Sequence, residues 1–591
     1  MIVLGLNIYH GDSSACIFKN GSLIAAAEEE RFTRVKHSAG FPINSINFCL
    51  KTLNIEINQV DYIAINRNPR LRIVSKLLYF IKNKFKIINI FKRIKNFKKI
   101  SSIADDIVQR FNLKRNIIKK KILFFDHHLC HAASSVISSN FNNTDYATID
   151  GFGDFVSTTI GEFKNNKFYQ LDEVKFPHSI GIFYTAITQF LGFPNYGDEY
   201  KVMGLASYGK PIYFDSFLKI INLHKNNIFR LNLKFFKHHT SGIETSWLDS
   251  NPNISSIYTS DLCNILGNVR SKDDKILQIH KDIAASAQAI YEYIFFEMLN
   301  KLQTKTKNIN LCLSGGCAMN SVANGKIKDN TPYKKIFINH SPADSGGAIG
   351  AGLLALRKFE QVIDISSINN PYLGNNYSNL DIKNIINTYK NKLLEEKIKI
   401  KFFENKEKNN FFQFIAKEIS NKKIIGFFNG RMEFGARALG NRSILADPRH
   451  SEIRNILNLK IKRRESFRPF APSILKEFVQ DWFDTEDDIP FMSKVYKIKN
   501  EKKDLVSAVV HIDGTCRLQT VDGKYNQDFY NLIKEFYKLT NVPIILNTSF
   551  NENEPIVRNP EQAIDCFLRT KMDYLVIENF ILSRNETDFL K

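Results

Sequence analysis

The sequence IVLGLNIYHGDSSACIFKNGSLIAAA, at residues 2–27, decides the fold of this chain. Its apolar runs are separated by short polar turns, and the Asn20-Gly21 pair between two such runs is typical of a β-hairpin. A comparable pattern recurs at residues 146–174. Each copy predicts three consecutive strands followed by α/β elements. The chain therefore carries an internal duplication, and a duplication of this kind usually leaves a cleft between its halves.

The length and composition are those of a globular protein with several domains. The 591 residues are 43% hydrophobic and 24% charged, which excludes a disordered or fibrous chain. The formal net charge is +22, but residues 67–121 contain 18 Lys and Arg against 2 Asp and Glu. The basic surplus is thus concentrated in one segment, and nucleic acid is not expected as a partner.

Within this basic segment, apolar residues recur at helical intervals between positions 76 and 99. The pattern predicts a helical insertion packed on the surface of the protein. Contact of this helix with a membrane surface, or with an anionic partner, is the alternative interpretation.

The cysteines and the first residues of the chain indicate a cellular compartment. Eight cysteines are scattered without zinc-ribbon spacing, which favours free thiols in a reducing environment. The first residues, MIVLG, predict a strand rather than a signal peptide, and no apolar run is long enough to span a bilayer. We therefore expect a cytoplasmic protein.

The sequence DHHLCHAA, at residues 126–133, follows an apolar strand and predicts the beginning of a helix. His127 and His131 are four residues apart, so both side chains lie on one face of that helix and can bind one metal ion. Asp150, at the end of the next predicted strand, and Asp344, in a glycine-rich turn, are candidate carboxylate ligands.

Three glycine-rich turns each follow a predicted strand, at residues 150–154, 314–316 and 344–347. Glycine permits close approach of the backbone to a phosphate, and a helix that follows directs its N–H groups toward it. Three such turns in a duplicated α/β unit predict a nucleotide-binding cleft.

The last third of the chain has its own set of motifs, at residues 430–443, 462–472, 513–517 and 547–551. Basic residues in this set stand among apolar, glycine and proline positions rather than in a solvated charge run. A buried arginine needs an anionic partner, and its planar guanidinium suits phosphate. Internal ion pairing with Glu433 or Glu465 is the alternative.

A polar, Asn-rich stretch at residues 364–379 interrupts the α/β pattern. We place a domain boundary there. The first domain then covers residues 1–365 and carries the basic insertion at 67–121, and the second covers residues 380–591.

Taken together, these segments resemble the NodU/CmcH-type O-carbamoyltransferase family over nearly the whole chain. The most specific motifs lie at residues 29–37 (EERFTRVKH), 126–135, 201–206 (KVMGLA), 314–320, 430–449, 464–472 and 547–551. The order of these motifs along the chain, rather than any single one, carries the resemblance.

The resemblance implies an α/β fold: a duplicated actin-like or RNase H-like ATPase-fold domain, similar to the tRNA threonylcarbamoyl-transfer proteins, followed by a YrdC-like α/β domain. It also implies two reactions. The YrdC-like domain would form carbamoyl-adenylate from carbamoyl phosphate and ATP, with release of pyrophosphate. In the first domain the carbamoyl group would then pass to a hydroxyl of a small molecule or glycan, with release of AMP.

The resemblance further implies roles for individual residues. A divalent metal, iron by resemblance with magnesium, manganese or zinc as alternatives, would be held by His127, His131, Asp150 and Asp344. The residues near the acceptor or the transferring carbonyl would be His10, Asp12 and Lys36. The nucleotide-binding residues of the first domain would be Gly315, Gly316 and Asn320. Those of the second domain, for carbamoyl phosphate and ATP, would be Arg437, Lys462, Arg468, Arg517, Asn547 and Ser549. In one departure from the family pattern, Gly11 separates His10 from Asp12.

Two other functions stay open at this point. A tRNA-modifying enzyme of the threonylcarbamoyladenosine type would use the basic insertion to hold RNA. A non-enzymatic ATP-binding module of the actin-like class would leave the histidine pair and the basic second domain without a use. Antibiotics, lipo-oligosaccharides, polysaccharide sugars and secondary metabolites are all candidate acceptors, and a homodimer is a candidate oligomeric state.

Overall fold

The computed structural model describes residues 1–82, 102–224, 228–241, 245–246, 252–404 and 408–584. The chain divides into two compact units, Met1–Asn369 and Asn370–Lys591, and the boundary expected from the sequence lay between residues 365 and 380. The basic helix expected over residues 76–99 falls mostly outside the described residues. The structure gives its beginning, as part of a helix at Ile73–Lys82.

The first half of unit 1 is built on a five-stranded sheet. Its strands are β1 Ile2–Asn7, β2 Ser14–Lys19, β3 Ser22–Glu28, β4 Tyr62–Ile65 and β5 Ile122–Phe124. They are ordered β3-β2-β1-β4-β5, with β1 to β3 antiparallel and β4 and β5 parallel to β1. Asn20 and Gly21 both have positive φ, as the tight turn between β2 and β3 requires.

The second half of unit 1 repeats this sheet. Its strands begin with β6 Thr144–Gly153, β7 Val156–Lys164 and β8 Lys167–Lys175. Two short hairpins follow, β9 Ile221–Leu223 with β10 Phe229–Leu231 and β11 Thr245–Ser246 with β12 Asn253–Ile254, before the last strands β13 Asn310–Ser314 and β14 Lys335–Ile338. The order β14-β13-β6-β7-β8, with two parallel and two antiparallel pairs of neighbours, matches the first sheet strand for strand. The predicted duplication, and with it the actin-like fold, is confirmed.

Helices of seven or more residues in the described part of unit 1 are Ile43–Leu53, Ile73–Lys82, Ile103–Phe111, Arg115–Lys121, His127–Ser139, Ile180–Phe190, Glu199–Ala206, Gln278–Thr306 and Gly346–Lys358. The helices that follow β5 and β14 approach each other closely, because Gly350 lies against the backbone carbonyl of Cys130, where a Cβ atom would clash. Because each of these helices follows a parallel strand, both begin near the carboxyl ends of the strands, which is the edge at which open α/β sheets bind their ligands.

The root of the basic insertion is fastened to the first of these two helices. Arg72 donates hydrogen bonds to the carboxylates of Asp126, at 2.6 Å, and Glu173, at 2.9 Å. Asp126 also accepts a hydrogen bond from the backbone N–H of Leu129 and so caps the helix. One guanidinium thus joins the insertion, the helix cap and strand β8.

Unit 2 is an α/β domain built on a nine-stranded mixed sheet. Its strands are β15 Lys399–Phe402, β16 Ile425–Phe428, β17 Arg442–Ala446, β18 Ala471–Leu475, β19 Lys494–Lys497, β20 Thr515–Val521, β21 Ile544–Ser549, β22 Tyr574–Ile577 and β23 Phe580–Ser583. The order is β15-β23-β22-β16-β17-β21-β18-β20-β19. The α/β class predicted for the second domain is confirmed, and its likeness to YrdC proteins stays a prediction.

Helices of six or more residues in the described part of unit 2 are Asn379–Thr388, Lys390–Glu395, Lys408–Ser420, Ser451–Ile456, Gln527–Thr540 and Pro560–Arg569. They pack on a core that includes Phe427, Phe536 and Phe567, each with no exposed surface. In neither unit, over the residues that the structure describes, does a helix combine the length and hydropathy needed to cross a membrane.

Candidate functional site

Two histidines of the sequence DHHLCHAA face one point of unit 1. His127 begins the helix His127–Ser139, and His131 lies one turn later on the same face. Their Nε2 atoms are 3.1 Å apart. Both side chains are buried, with exposed fractions of 2% and 0%.

Two carboxylates from other elements meet this pair. Asp150, near the end of β6, places Oδ2 at 3.1 Å from His127 Nε2 and 3.6 Å from His131 Nε2. Asp344, just before the helix Gly346–Lys358, places Oδ1 at 3.4 Å and 3.5 Å from the same two atoms. The fold thus brings together the four residues predicted as metal ligands, and we call them the imidazole–carboxylate cluster.

The donor atoms of this cluster fit a divalent cation. The two Nε2 atoms can share only one proton, and Asp344 Oδ1 is buried without a hydrogen-bond partner. Metal–ligand bonds of about 2.0–2.2 Å place neighbouring ligand atoms about 2.8–3.6 Å apart. The observed separations of 3.1–3.6 Å lie within that range. Imidazole and carboxylate together suit borderline divalent ions, and the identity of the ion stays a prediction.

The contacts within the cluster favour the charged forms of Asp150, His131 and Asp344 despite burial. Burial raises the pKa of Asp150, but hydrogen bonds from His127 and His131 outweigh it and hold that pKa well below its usual value. Burial lowers the pKa of His131, yet Asp150 and Asp344 raise it to about 9. The pKa of Asp344 falls to about 2, because His10 and His131 outweigh burial and the charge of Asp150.

His10, predicted to lie near the transferring carbonyl, adjoins the cluster. Its Nδ1 is 2.7 Å from Asp344 Oδ2, and its Nε2 is 3.2 Å from the backbone oxygen of Phe152. Its ring lies 5.2 Å from that of His127, so the additional Gly11 does not separate it from the cluster.

Asp12 and Lys36, the other residues predicted near the acceptor, are placed differently. Asp12 Oδ1 lies 2.8 Å from Nδ1 of His37. The Lys36 side chain is exposed, and its charge acts on Glu30, which accepts a hydrogen bond from the His37 backbone N–H. The roles of Asp12 and Lys36 stay predictions.

The residues predicted to bind nucleotide in unit 1 have structural partners. Gly315 has φ of +90°, and its N–H donates to Pro342. The Gly316 N–H donates to Asp150 Oδ1 at 3.1 Å, which orients that carboxylate. Asn320 accepts from the Ala323 N–H and exchanges two hydrogen bonds with Gln288.

Four arginines of unit 2 lie close together, and we call Arg437, Arg464, Arg468 and Arg517 the arginine cluster. Burial and the positive charges of the other three hold the pKa of Arg517 well below its usual value. Arg517 Nε is buried and has no hydrogen-bond partner. Glu465 lies 3.6 Å from Arg468 and offsets part of the charge. The cluster therefore has the character of an anion site.

Internal ion pairing of the basic residues with Glu433 was the alternative to an anion site. One carboxylate oxygen of Glu433 is instead bound by backbone N–H groups. Glu433 Oε1 accepts hydrogen bonds from the N–H groups of Leu439, Asn441 and Arg442. Arg442 is fully buried, donates to backbone oxygens and lies 3.6 Å from the centre of the Phe428 ring. This arginine is part of the core of unit 2.

Asn547, on β21, contacts a side chain of β20, the strand that carries Arg517, across the intervening strand β18. Its Nδ2 donates to Gln519 Oε1 at 3.0 Å and to Ser473 Oγ at 3.1 Å, whereas its Oδ1 is buried without a partner. Gln519 shares one face of β20 with Arg517, because residues two apart on a strand point the same way.

Lys462 and Ser549 form a loop contact. The Lys462 ammonium donates to the backbone oxygen of Ser549 and, at 2.7 Å, to Asn551 Oδ1. Ser549 Oγ donates to the same Asn551 oxygen at 2.8 Å. Both predicted residues thus shape the loop after β21, and their contact with substrate stays a prediction.

Sequence reasoning missed three residues that adjoin these sites. Arg464 lay within a quoted motif but was not singled out, and Gln519 could have been found from its two-residue spacing to Arg517. His37 also lay within a motif. No spacing rule points to its contact with Asp12, because 25 residues separate the two.

Two family descriptions match this chain. "Carbamoyltransferase N-terminus" matches residues 2–353, and "Carbamoyltransferase C-terminus" matches residues 416–584. The two matches together cover most of both units.

Relatives and solved structures were also found. An uncharacterized protein of Synechocystis is 34% identical, over 98% of this chain and 96% of its own length. Nodulation protein NolNO of Sinorhizobium fredii is 32% identical, over 98% of this chain and 80% of its own length. Component A of the (R)-2-hydroxyglutaryl-CoA dehydratase of Acidaminococcus fermentans aligns with 61% of this chain and 98% of its own, at 14% identity and a TM-score of 0.33. From the two matched family domains and the relatives that share nearly its full length, the chain belongs to the carbamoyltransferase family.

Proposed function

We propose that this protein is an ATP-dependent O-carbamoyltransferase that works in two steps. Unit 2 forms carbamoyl-adenylate from carbamoyl phosphate and ATP, and unit 1 transfers the carbamoyl group to a hydroxyl of a small molecule or glycan. The observation that carries the proposal is the arginine cluster, since four neighbouring guanidinium groups attract a polyanion such as carbamoyl phosphate or ATP.

The first step suits the arginine cluster. Carbamoyl-adenylate keeps only the α-phosphate of ATP, so pyrophosphate and orthophosphate both leave while one water enters. Negative charge develops on phosphate oxygens during this exchange, and fixed guanidinium groups stabilise it. The unpaired Nε of Arg517 and the unpaired Oδ1 of Asn547 supply a donor and an acceptor for the phosphate and for the carbamoyl amide.

The second step suits the imidazole–carboxylate cluster. His127, His131, Asp150 and Asp344 would hold the divalent ion, which when bound supplies Lewis-acid stabilisation of phosphate and carbonyl oxygens. The Gly316 N–H fixes the orientation of Asp150, and His10 fixes that of Asp344. The carbamoyl carbon leaves the phosphate oxygen of the adenylate and bonds to the acceptor oxygen, which releases AMP.

Carbamoyl-phosphate-dependent exchange of pyrophosphate into ATP tests this division. We expect Arg517→Met to lose exchange by at least about 100-fold, because a charge-assisted contact to phosphate is removed. His127→Ala should keep the exchange and lose transfer. If His127→Ala lost the exchange while folded and able to bind ATP, the two-site scheme would be wrong.

The acceptor is sought by mass spectrometry. Pools of candidate metabolites and glycans are incubated with the protein, ATP and isotopically labelled carbamoyl phosphate. A labelled carbamate ester is the expected product. AMP formation that depends on threonine and bicarbonate, and not on carbamoyl phosphate, would replace this proposal with a tRNA-modifying function.

A further inference from the structure

His37 and Asp12 form a hydrogen-bonded pair in unit 1. His37 Nδ1 lies 2.8 Å from Asp12 Oδ1. The two side chains keep exposed fractions of 31% and 21%. A carboxylate on one ring nitrogen orients an imidazole and fixes its tautomer, which is how histidine general bases are held.

His37 differs from the other histidines near the imidazole–carboxylate cluster. His10 and His128 each use both ring nitrogens, in contacts with Asp344 and Phe152 and with Thr148 and Val156. His127 and His131 direct Nε2 into the cluster. His37 Nε2 has no hydrogen-bond partner within the described part of the chain, and the half-buried ring keeps it accessible.

The backbone around the pair is arranged to present it. Asp12 and His37 both have φ of +54°, in the left-handed region that side chains other than glycine seldom occupy. The Asn7 amide holds the turn by donating to the backbone oxygens of Gly11, at 2.9 Å, and Asp12, at 2.8 Å. Gly197 lies next to His37 Nε2, where a Cβ atom would clash with the ring.

Tyr196 links the pair to the neighbourhood of the cluster. Its ring meets that of His37 edge-on at 5.2 Å, and its hydroxyl lies against Gly11, the residue between His10 and Asp12. The hydroxyl has no hydrogen-bond partner among the described residues. Burial and the charges of Asp344 and Asp12 hold the Tyr196 pKa well above its usual value, so the phenol stays a donor.

We propose that the Asp12–His37 pair is the general base that activates the acceptor hydroxyl, with the Tyr196 hydroxyl as a second contact to the acceptor. The inference rests on the proposed function. His37 Nε2 takes the proton of the acceptor hydroxyl as its oxygen bonds to the carbamoyl carbon. The bond from that carbon to the adenylate phosphate breaks, and AMP leaves with the electron pair. Asp12 holds the imidazolium that results.

The charged groups around His37 determine how the rate of carbamoyl transfer depends on pH. Asp12, Glu30 and Glu199 face the imidazole, and they raise its pKa to about 9 against the effect of burial. Lys36 adjoins it in sequence, and Tyr196 packs on its edge. A base of this kind works in its unprotonated form, so transfer rises with pH up to about 9, in proportion to the unprotonated fraction.

The test uses the full-length protein with ethanol and trifluoroethanol as acceptor probes. We expect His37→Gln to keep pyrophosphate exchange and metal content, and to lose transfer to ethanol by at least about 100-fold. Trifluoroethanol has the more acidic hydroxyl and depends less on a base, so we expect a smaller loss of transfer to trifluoroethanol in this variant. His450→Gln is the matched control, because His450 is also 31% exposed and lies 3.8 Å from a carboxylate, and it should leave both probes unaffected.

Asp12→Asn provides a second variant that keeps the imidazole. Loss of the carboxylate lowers the His37 pKa, so the rising part of the pH profile moves to lower pH, whereas His37→Gln abolishes it. Equal transfer to ethanol by His37→Gln and the unsubstituted protein would overturn the assignment. So would absence of transfer to both alcohols while exchange proceeds. Absence of exchange itself would instead overturn the proposed function.

Discussion

The imidazole–carboxylate cluster of unit 1 contains charges of both signs, whereas the arginine cluster of unit 2 contains four positive charges. The first balances two carboxylates against imidazoles, and its contacts favour the charged form of Asp150, His131 and Asp344. The second gathers four groups of one sign, and their repulsion opposes the charge of Arg517. The charges of the first cluster therefore offset one another, whereas those of the second leave a positive excess that an anion would neutralise.

This difference shows where binding energy is available. A like-charged cluster is held together by the surrounding fold, at a cost in folding free energy that an anion can offset on binding. In the imidazole–carboxylate cluster, binding of a cation offsets less folding free energy. Its selectivity among cations is higher, because a cation must match four fixed donor atoms.

The largest expected effect comes from breaking the balanced cluster. Asp150→Asn replaces a charged carboxylate ligand with a neutral amide, and we expect metal affinity to fall by more than about 100-fold, since the loss of partners outside the ligand set already costs about 10- to 100-fold. Metal content by mass spectrometry and carbamoyl transfer are the measurements. Asp145→Asn, on the same strand but bonded to Tyr333 and Asn308, is the control and should keep its metal. Equal metal content in both variants would contradict the assignment.

In the arginine cluster, a substitution that weakens ligand binding should increase the stability of the ligand-free protein. Arg517→Met should weaken pyrophosphate binding by about 10- to 100-fold and, without ligand, raise the free energy of unfolding, because repulsion is relieved. Calorimetry and chemical denaturation measure the two quantities. Arg442→Met should instead lower stability, since Arg442 bonds to the backbone oxygens of Asn429 and Asn441. A loss of stability in Arg517→Met would show that its charge is already neutralised.

The pH dependence sharpens the comparison further. In protein treated with a chelator, the raised pKa of His131 contributes stability that is present below pH about 6.5 and is lost as pH rises through about 9. Metal affinity should rise over the same interval, because imidazole binds a metal only after losing its proton. Thermal unfolding and metal titration at pH 6 and pH 9 are the measurements. A metal affinity independent of pH would exclude protonated imidazole in the metal-free cluster.

The smallest effect is expected at Asn320. Its side chain caps the helix that begins at Ser321, so Asn320→Ala should lower the free energy of unfolding by about 1 kcal/mol. Asn320→Ser keeps a capping oxygen and should restore most of the loss. Denaturant titration distinguishes the two, and an equal loss in both would place the effect in the hydrogen bonds with Gln288.

The sequence predicted those parts of the molecule that depend on local pattern. The two sets of three strands were evident from alternating runs and turns, and the pairing of His127 with His131 from helical spacing. Asp150 and Asp344 could be proposed because Asp150 lies at the end of a predicted strand and Asp344 in the turn after one, where α/β folds place their ligands.

The remaining features depend on contacts between distant segments. In unit 2 the sequence analysis identified motifs but no strand pairing, whereas the sheet pairs segments as far apart as β15 and β23. The Asp12–His37 contact requires two left-handed residues in separate loops. Sequence periodicity does not predict such a contact, because the tertiary fold of the whole unit brings the two loops together.

The guanidinium of Arg72 has a practical consequence for shortening the protein. An excision that begins beyond Lys82 keeps the cation that sits between Asp126 and Glu173. One that begins at Arg67 leaves two acids facing each other at the start of the helix that carries His127. An engineered chain without the lysine-rich stretch should therefore retain this arginine as its splice point.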